Sequence, residues 1–98
     1  MSVFITLRFK GDAGRLKEEL AGRYEAINER ARQHGCLHHQ FLTNDQGEIM
    51  VLDEWESADG FQRFFAASPD IEEMMGAIGV TAQPDVTVWS PLETPDRF

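Results

Sequence analysis

His38, Asp53 and Trp55 are the residues of this chain best suited to act together chemically. An imidazole beside a carboxylate makes a general base, because the carboxylate fixes the imidazole tautomer and raises its basicity. An indole next to such a pair can form the floor of a pocket. The same three residues also make an ordinary satisfied polar pair beneath a core tryptophan, and the residue types alone leave both readings open. The run Gly35-Cys36-Leu37-His38-His39, with His34 adjoining, looks metal-like at first sight. Strand alternation sends His38 and His39 to opposite faces, however, and no CxxC or HExxH spacing accompanies them, so no metal site is expected. Cys36 has no cationic neighbour in view and reads as a small buried side chain rather than a nucleophile.

These residues take their positions from Glu48-Ile49-Met50-Val51-Leu52-Asp53-Glu54-Trp55-Glu56-Ser57, a strand running into a helix. Ile49, Val51, Asp53 and Trp55 share one face; Met50, Leu52 and Glu54 share the other. Both faces are apolar over the first half, which marks a central strand. Cys36 to Leu42 forms the preceding strand, joined through the turn Asn44-Asp45-Gln46-Gly47. A two- or four-residue loop pairs Phe41 with Met50, His39 with Leu52, His38 with Asp53 and Cys36 with Trp55. That register places His38 beside Asp53 on the Trp55 face and turns His39 away, whereas an odd loop or a bulge reverses it.

Val3 to Lys10 alternates as a strand, and Asp12 is suited to cap the N-terminus of a helix. Ala13, Leu16, Leu20, Tyr24, Ile27 and Ala31 then recur at helical spacing, predicting one long amphipathic helix that ends at Gly35. Within it the cost of Gly22 has no visible reason. Ser57 caps a helix carrying Phe61, Phe64 and Phe65; Ser68-Pro69 restarts it with Ser68 as N-cap and an Ile71, Met74, Met75, Ile78 stripe. Val86 to Trp89 is the last strand, and residues 91–98 are an extended polar tail within a single domain spanning 1–98.

The order β-α-β-β-α-β is the split, ferredoxin-like α+β arrangement, an antiparallel sheet with helices on one face. The uncovered face would carry Phe4, Thr6, Leu37, Phe41, Met50 and Leu52, too much apolar surface to leave wet, so a homodimer packed through it is expected. Arg8, on that face, is expected to pair with Glu54 across the dimer. Lys plus Arg number 9 against 17 Asp plus Glu, a net charge of −8. Such a surface repels nucleic acid and anionic membranes. No apolar run is long enough to span a bilayer, and a lone cysteine suits a reducing compartment; a cytoplasmic protein is expected.

Leu52-Asp53-Glu54-Trp55-Glu56-Ser57, then Phe61, then Ala66-Ala67-Ser68-Pro69, resembles the dimeric α+β barrel superfamily, and within it the antibiotic-biosynthesis-monooxygenase type of domain. The resemblance implies a pocket between sheet and helices with Trp55 in its wall, and oxidation of a small aromatic phenol or quinol by O₂ with no bound cofactor. Members commonly carry a His nine residues after the Trp, where this chain has Phe64, and haem-degrading members use an Asn where it has Leu7. Both departures make the pocket more apolar and count against haem chemistry. The site read from the sequence is thus His38 as base, Asp53 as its orienting acid and Trp55 as wall. Leu7, Tyr24, Cys36, Phe61, Phe64, Phe65 and Met74 would line the pocket. A non-catalytic ligand-binding member of the same fold is the alternative, with an isomerase or lyase of a small cyclic acid as a third choice.

Overall fold

A computed structural model of the chain describes residues 1–80 and 82–98. The elements are β1 (Val3–Lys10), α1 (Ala13–Leu20), α2 (Tyr24–Gln33), β2 (Cys36–Thr43), β3 (Glu48–Trp55), α3 (Ala58–Ala66), α4 (Pro69–Ala77) and β4 (Asp85–Trp89). The strands form one antiparallel sheet in the order β2-β3-β1-β4, the ferredoxin-like α+β topology. β1 and β3 are central, the place expected of β3 from its two apolar faces. Ile5, Leu7 and Phe9 from β1 and Ile49 and Trp55 from β3 are buried under the helices.

Two groups of side chains fill the space between sheet and helices. Phe9, Leu16, Leu20, Ile49, Met74, Met75 and Ile78 pack at one end. Ile5, Leu7, Trp55, Phe61 and Phe64 pack at the other, and Ile27, Val51 and Ile71 lie against both. Each of these residues removes apolar surface from water, at roughly 25 cal/mol per Å².

The long first helix read from the sequence is two helices. Gly22 adopts φ +79°, a left-handed conformation that side chains rarely take, and the chain breaks between Leu20 and Tyr24. The apolar stripe runs through the break because both halves lie on the same sheet, so periodicity alone conceals it. Asp12 and Ser57 do cap, accepting the N–H of Arg15 and Gly60 at 3.1 Å each. Ser68 does not: its hydroxyl turns inward, donates to the Phe64 carbonyl at 2.7 Å and accepts from Arg30 at 2.9 Å. Arg30 also grips Asp70 through two hydrogen bonds of 2.8 and 3.0 Å, which tie α2 to the start of α4.

The hairpin between β2 and β3 departs from the expected register. Thr43 faces Ile49, Phe41 faces Val51 and His39 faces Asp53, while His38 faces Glu54. The odd-length turn has Gly47 at φ +74°, the left-handed position of a three-residue hairpin loop. Asn44 holds it by accepting the N–H of Gln46 at 3.0 Å and of Glu48 at 3.1 Å. A bulge at Leu37 then restores Cys36 opposite Trp55.

Three assignments change with it, that of His39, now beside Asp53, among them. Phe41 joins the helix side, and His38 joins the open face. That face presents Phe4, Leu42, Met50, Leu52 and Trp89, with the Trp89 indole N–H donating to Thr6 at 2.9 Å. Arg8 pairs within its own chain, with Glu48 at 3.7 Å and Asp85 at 3.4 Å, and Glu54 accepts the Ser2 hydroxyl at 2.6 Å. Among the described residues no helix is long and apolar enough to cross a membrane.

Candidate active site

β3 carries the site because its alternation delivers Asp53 and Trp55 to the helix side at the strand's buried end. Trp55 is fully buried, and Asp53 is only 5% exposed. A carboxylate at that depth requires partners. Asp53 has one on each oxygen: the Trp55 indole N–H donates to Oδ2 at 3.1 Å, and Nδ1 of His39 lies 2.7 Å from Oδ1. A proton on Nδ1 satisfies that contact with the ionised carboxylate, which leaves Nε2 of the neutral ring as the free acceptor.

The sequence points to His38 as the partner of Asp53, and the structure differs: the odd loop moves the β2 side chains from His38 to Thr43 to the opposite face, so His39 takes the place. His38 lies on the open face, opposite Glu54. The signal that could have revealed it was Gly47 three residues after Asn44, which suits a three-residue loop closed by a left-handed glycine.

Above the Asp53 pair lies a cavity of about 90 Å³. Leu7, Tyr24, Cys36, Asp53, Trp55, Phe61, Phe64, Phe65 and Met74 all line it, and His39, Phe41 and Asn28 join them. Phe61 meets the Trp55 ring edge-on at 5.5 Å and Phe64 lies tilted at 5.4 Å, while His39 stands edge-on to Phe41 at 4.9 Å. Such contacts hold aromatic rings in fixed orientations. The half-exposed Tyr24, His39 and Phe41 mark the mouth, between α2 and the edge strand β2.

Burial pushes the Cys36 thiol up to about 11, and the negative charge of Asp53 pushes the same way. Cys36 is therefore a protonated thiol near neutral pH, donating to the His38 carbonyl at 3.4 Å. Among the described residues no three His, Cys, Asp or Glu side chains gather as metal ligands.

A ferredoxin-like sheet, helices on one side only and an aromatic cavity over the end of β3 define a protein of the dimeric α+β barrel superfamily. Within that class, the sequence model described as antibiotic biosynthesis monooxygenase matches residues 2–76. The chain belongs to the antibiotic biosynthesis monooxygenase family. Comparison with curated protein sequences finds no significant match.

Solved structures share the fold at low identity. SnoaB of Streptomyces nogalater, a cofactor-independent oxygenase, is 21% identical over 98% of both chains, with a TM-score of 0.68. Rv0793 of Mycobacterium tuberculosis is 20% identical over 98% of this chain and 100% of its own, at 0.63. The ActVA-Orf6 monooxygenase of Streptomyces coelicolor, solved with nanaomycin D, is 18% identical over 95% of this chain and 89% of its own, at 0.66.

Proposed function

We propose that this protein is a cofactor-independent monooxygenase that oxidises a small aromatic phenol or quinol with O₂. The observation that carries the reading is the His39–Asp53–Trp55 hydrogen-bonded chain in the wall of an aromatic cavity. His39 Nε2 takes the phenolic proton, Asp53 holds the ring in the tautomer that makes this possible, and Trp55 with Phe64 and Phe65 holds the substrate plane. The phenolate then supplies the electrons. In phenol-to-quinone oxidation one atom of O₂ becomes the new ring carbonyl. The other leaves as water with the hydroxyl proton and the displaced ring hydrogen, so the substrate loses four electrons and O₂ accepts them. A dry cavity favours the step by strengthening the contacts that hold the charge.

The working unit of this reading is a homodimer. Phe4, Leu42, Met50, Leu52 and Trp89 stand on one open sheet face, and a fold neighbour from an uncultured marine organism is described as a dimeric ferredoxin-like protein. Packing two such faces together removes the patch from water.

Oxygen consumption with a panel of hydroquinones and anthrones, using chelator-treated protein and heat-killed controls, tests the proposal. Saturable uptake with one substrate, lost in His39→Ala and reduced in Trp55→Phe, is the expected result. A folded protein with no uptake across the panel would overturn it in favour of a non-catalytic binding protein. One feature favours that second reading: both Asp53 oxygens are already satisfied within the chain, as a purely structural pair would be.

A further inference from the structure

Two hollows meet between α2 and β2. The apolar cavity of about 90 Å³ adjoins a polar one of about 260 Å³, and Asn28, Ala31, Cys36 and His39 line both. A dry core cavity of about 150 Å³ is known to accept one benzene ring. The apolar part is smaller than that, so an aromatic ligand seated on Trp55 must extend past His39 into the polar hollow.

The lining of that hollow has a definite sign. The chain carries 17 Asp and Glu residues, yet none lines the polar hollow, whereas Asn28, Arg32, His38 and His39 do. Asn28 and Arg32 lie one helical turn apart on α2 and so project from the same side of the helix. Arg8, Arg15, Arg30 and Arg63 are each engaged in an ion pair; Arg32 enters none among the described residues. Among the described residues, the side-chain hydrogen bonds beside the hollow join Cys36 to the His38 carbonyl and His39 to Asp53, and involve neither the Asn28 nor the Arg32 side chain. The Arg32 charge reaches the shared wall, where it opposes the upward push on the Cys36 thiol.

We propose that Arg32 and Asn28 bind a carboxylate carried by the aromatic substrate, so that the site selects hydroxylated aromatic acids over their neutral analogues. The inference rests on the cavity being the substrate site, and names its substrate class. His39 lines both hollows, so the hydroxyl it deprotonates lies on the carboxylate side of the ring. A guanidinium matches a carboxylate in two parallel hydrogen bonds, and the Asn28 amide adds a third donor.

Isothermal titration of the intact protein with 1-hydroxy-2-naphthoate and with its methyl ester tests this without relying on turnover. The acid should bind about tenfold tighter than the ester, the value of a charge-assisted hydrogen bond in a partly exposed site. Arg32→Gln should remove that difference while the ester binds as before, since Arg32 is exposed and its loss leaves the core intact. Equal affinities in the wild type, or a preference that survives Arg32→Gln, would overturn the inference and leave the cavity reading standing. Binding of neither ligand would overturn both.

Discussion

Nδ1 of His39 lies 2.7 Å from Oδ1 of Asp53, across the β2–β3 ladder and at the mouth of the cavity. The two residues differ in surroundings. Asp53 is deep and also accepts the indole N–H of Trp55, whereas the His39 side chain is 36% exposed. The buried end anchors the pair, and the exposed end stands at the cavity mouth.

If His39 is the base, His39→Ala and Asp53→Asn should each lower oxygen uptake by about a hundredfold or more, the usual worth of a positioned general base. His38→Ala, at a residue whose partner across the ladder is Glu54 and not Asp53, should lower it far less. Parallel uptake assays on the three variants decide the matter, and a collapse in His38→Ala alone would return the role to the other histidine.

Leu52 sits mid-strand on β3, between Thr6 and Gln40 on the open face. Leu52→Asp should place a charge in the centre of the proposed interface and convert the dimer to a monomer in sedimentation velocity. Stability should then lose its dependence on protein concentration. A variant that sediments like the wild type would move the interface elsewhere.

The Arg30 guanidinium, hydrogen-bonded to Asp70, holds that carboxyl below the usual carboxylate range. A carboxyl held low in the folded chain contributes stability that is complete above its unfolded value near 3.9, and lost as the pH falls through the folded value. Both side chains are about a third exposed, so the contribution stays below about 1 kcal/mol. Urea midpoints measured from pH 5 downward should therefore fall less steeply for Asp70→Asn than for the wild type. Parallel curves would mean that the pair contributes nothing.

Gly60 and Gly76 both lie in helices yet should respond oppositely to alanine. A Cβ on Gly60 would collide with the backbone carbonyl of His34, at the end of α2, which cannot move aside cheaply. Gly60→Ala should cost about 1–3 kcal/mol. Gly76 has open space around the same position, so Gly76→Ala should stabilise by up to about 1 kcal/mol. Thermal melts of the two variants give the comparison directly.

The parts of this molecule legible in its sequence are those set by long periodic patterns. Alternation over Val3–Lys10 identifies a strand, the two apolar faces of Glu48–Trp55 identify a central one, and the Phe61, Phe64, Phe65 patch identifies the helix above them. Single-residue events are not legible. The left-handed turn at Gly22 splits a helix whose apolar stripe continues unbroken, and the loop closed by Gly47 has an odd length where an even one reads equally well. Because strand side chains alternate with a period of two, that one residue exchanges His38 for His39 beside Asp53. Asn28 escapes notice for another reason: one amide on an otherwise ordinary helix acquires meaning only when the cavity beside it is seen.

The bulge at Leu37 carries a consequence for how this strand tolerates change. Cys36 and His39 are an odd number of residues apart, so in a regular strand they would project to opposite faces. The extra residue lets both face the cavity. The arrangement is therefore a matter of counting. Most single substitutions along β2 leave every neighbour facing the way it did. Losing one residue between Cys36 and His39 would remove the bulge with both still on one face, whereas losing one between His39 and Asn44 would set His39 opposite Leu52 and turn it away from Asp53. Length, more than side-chain identity, is what β2 has to preserve.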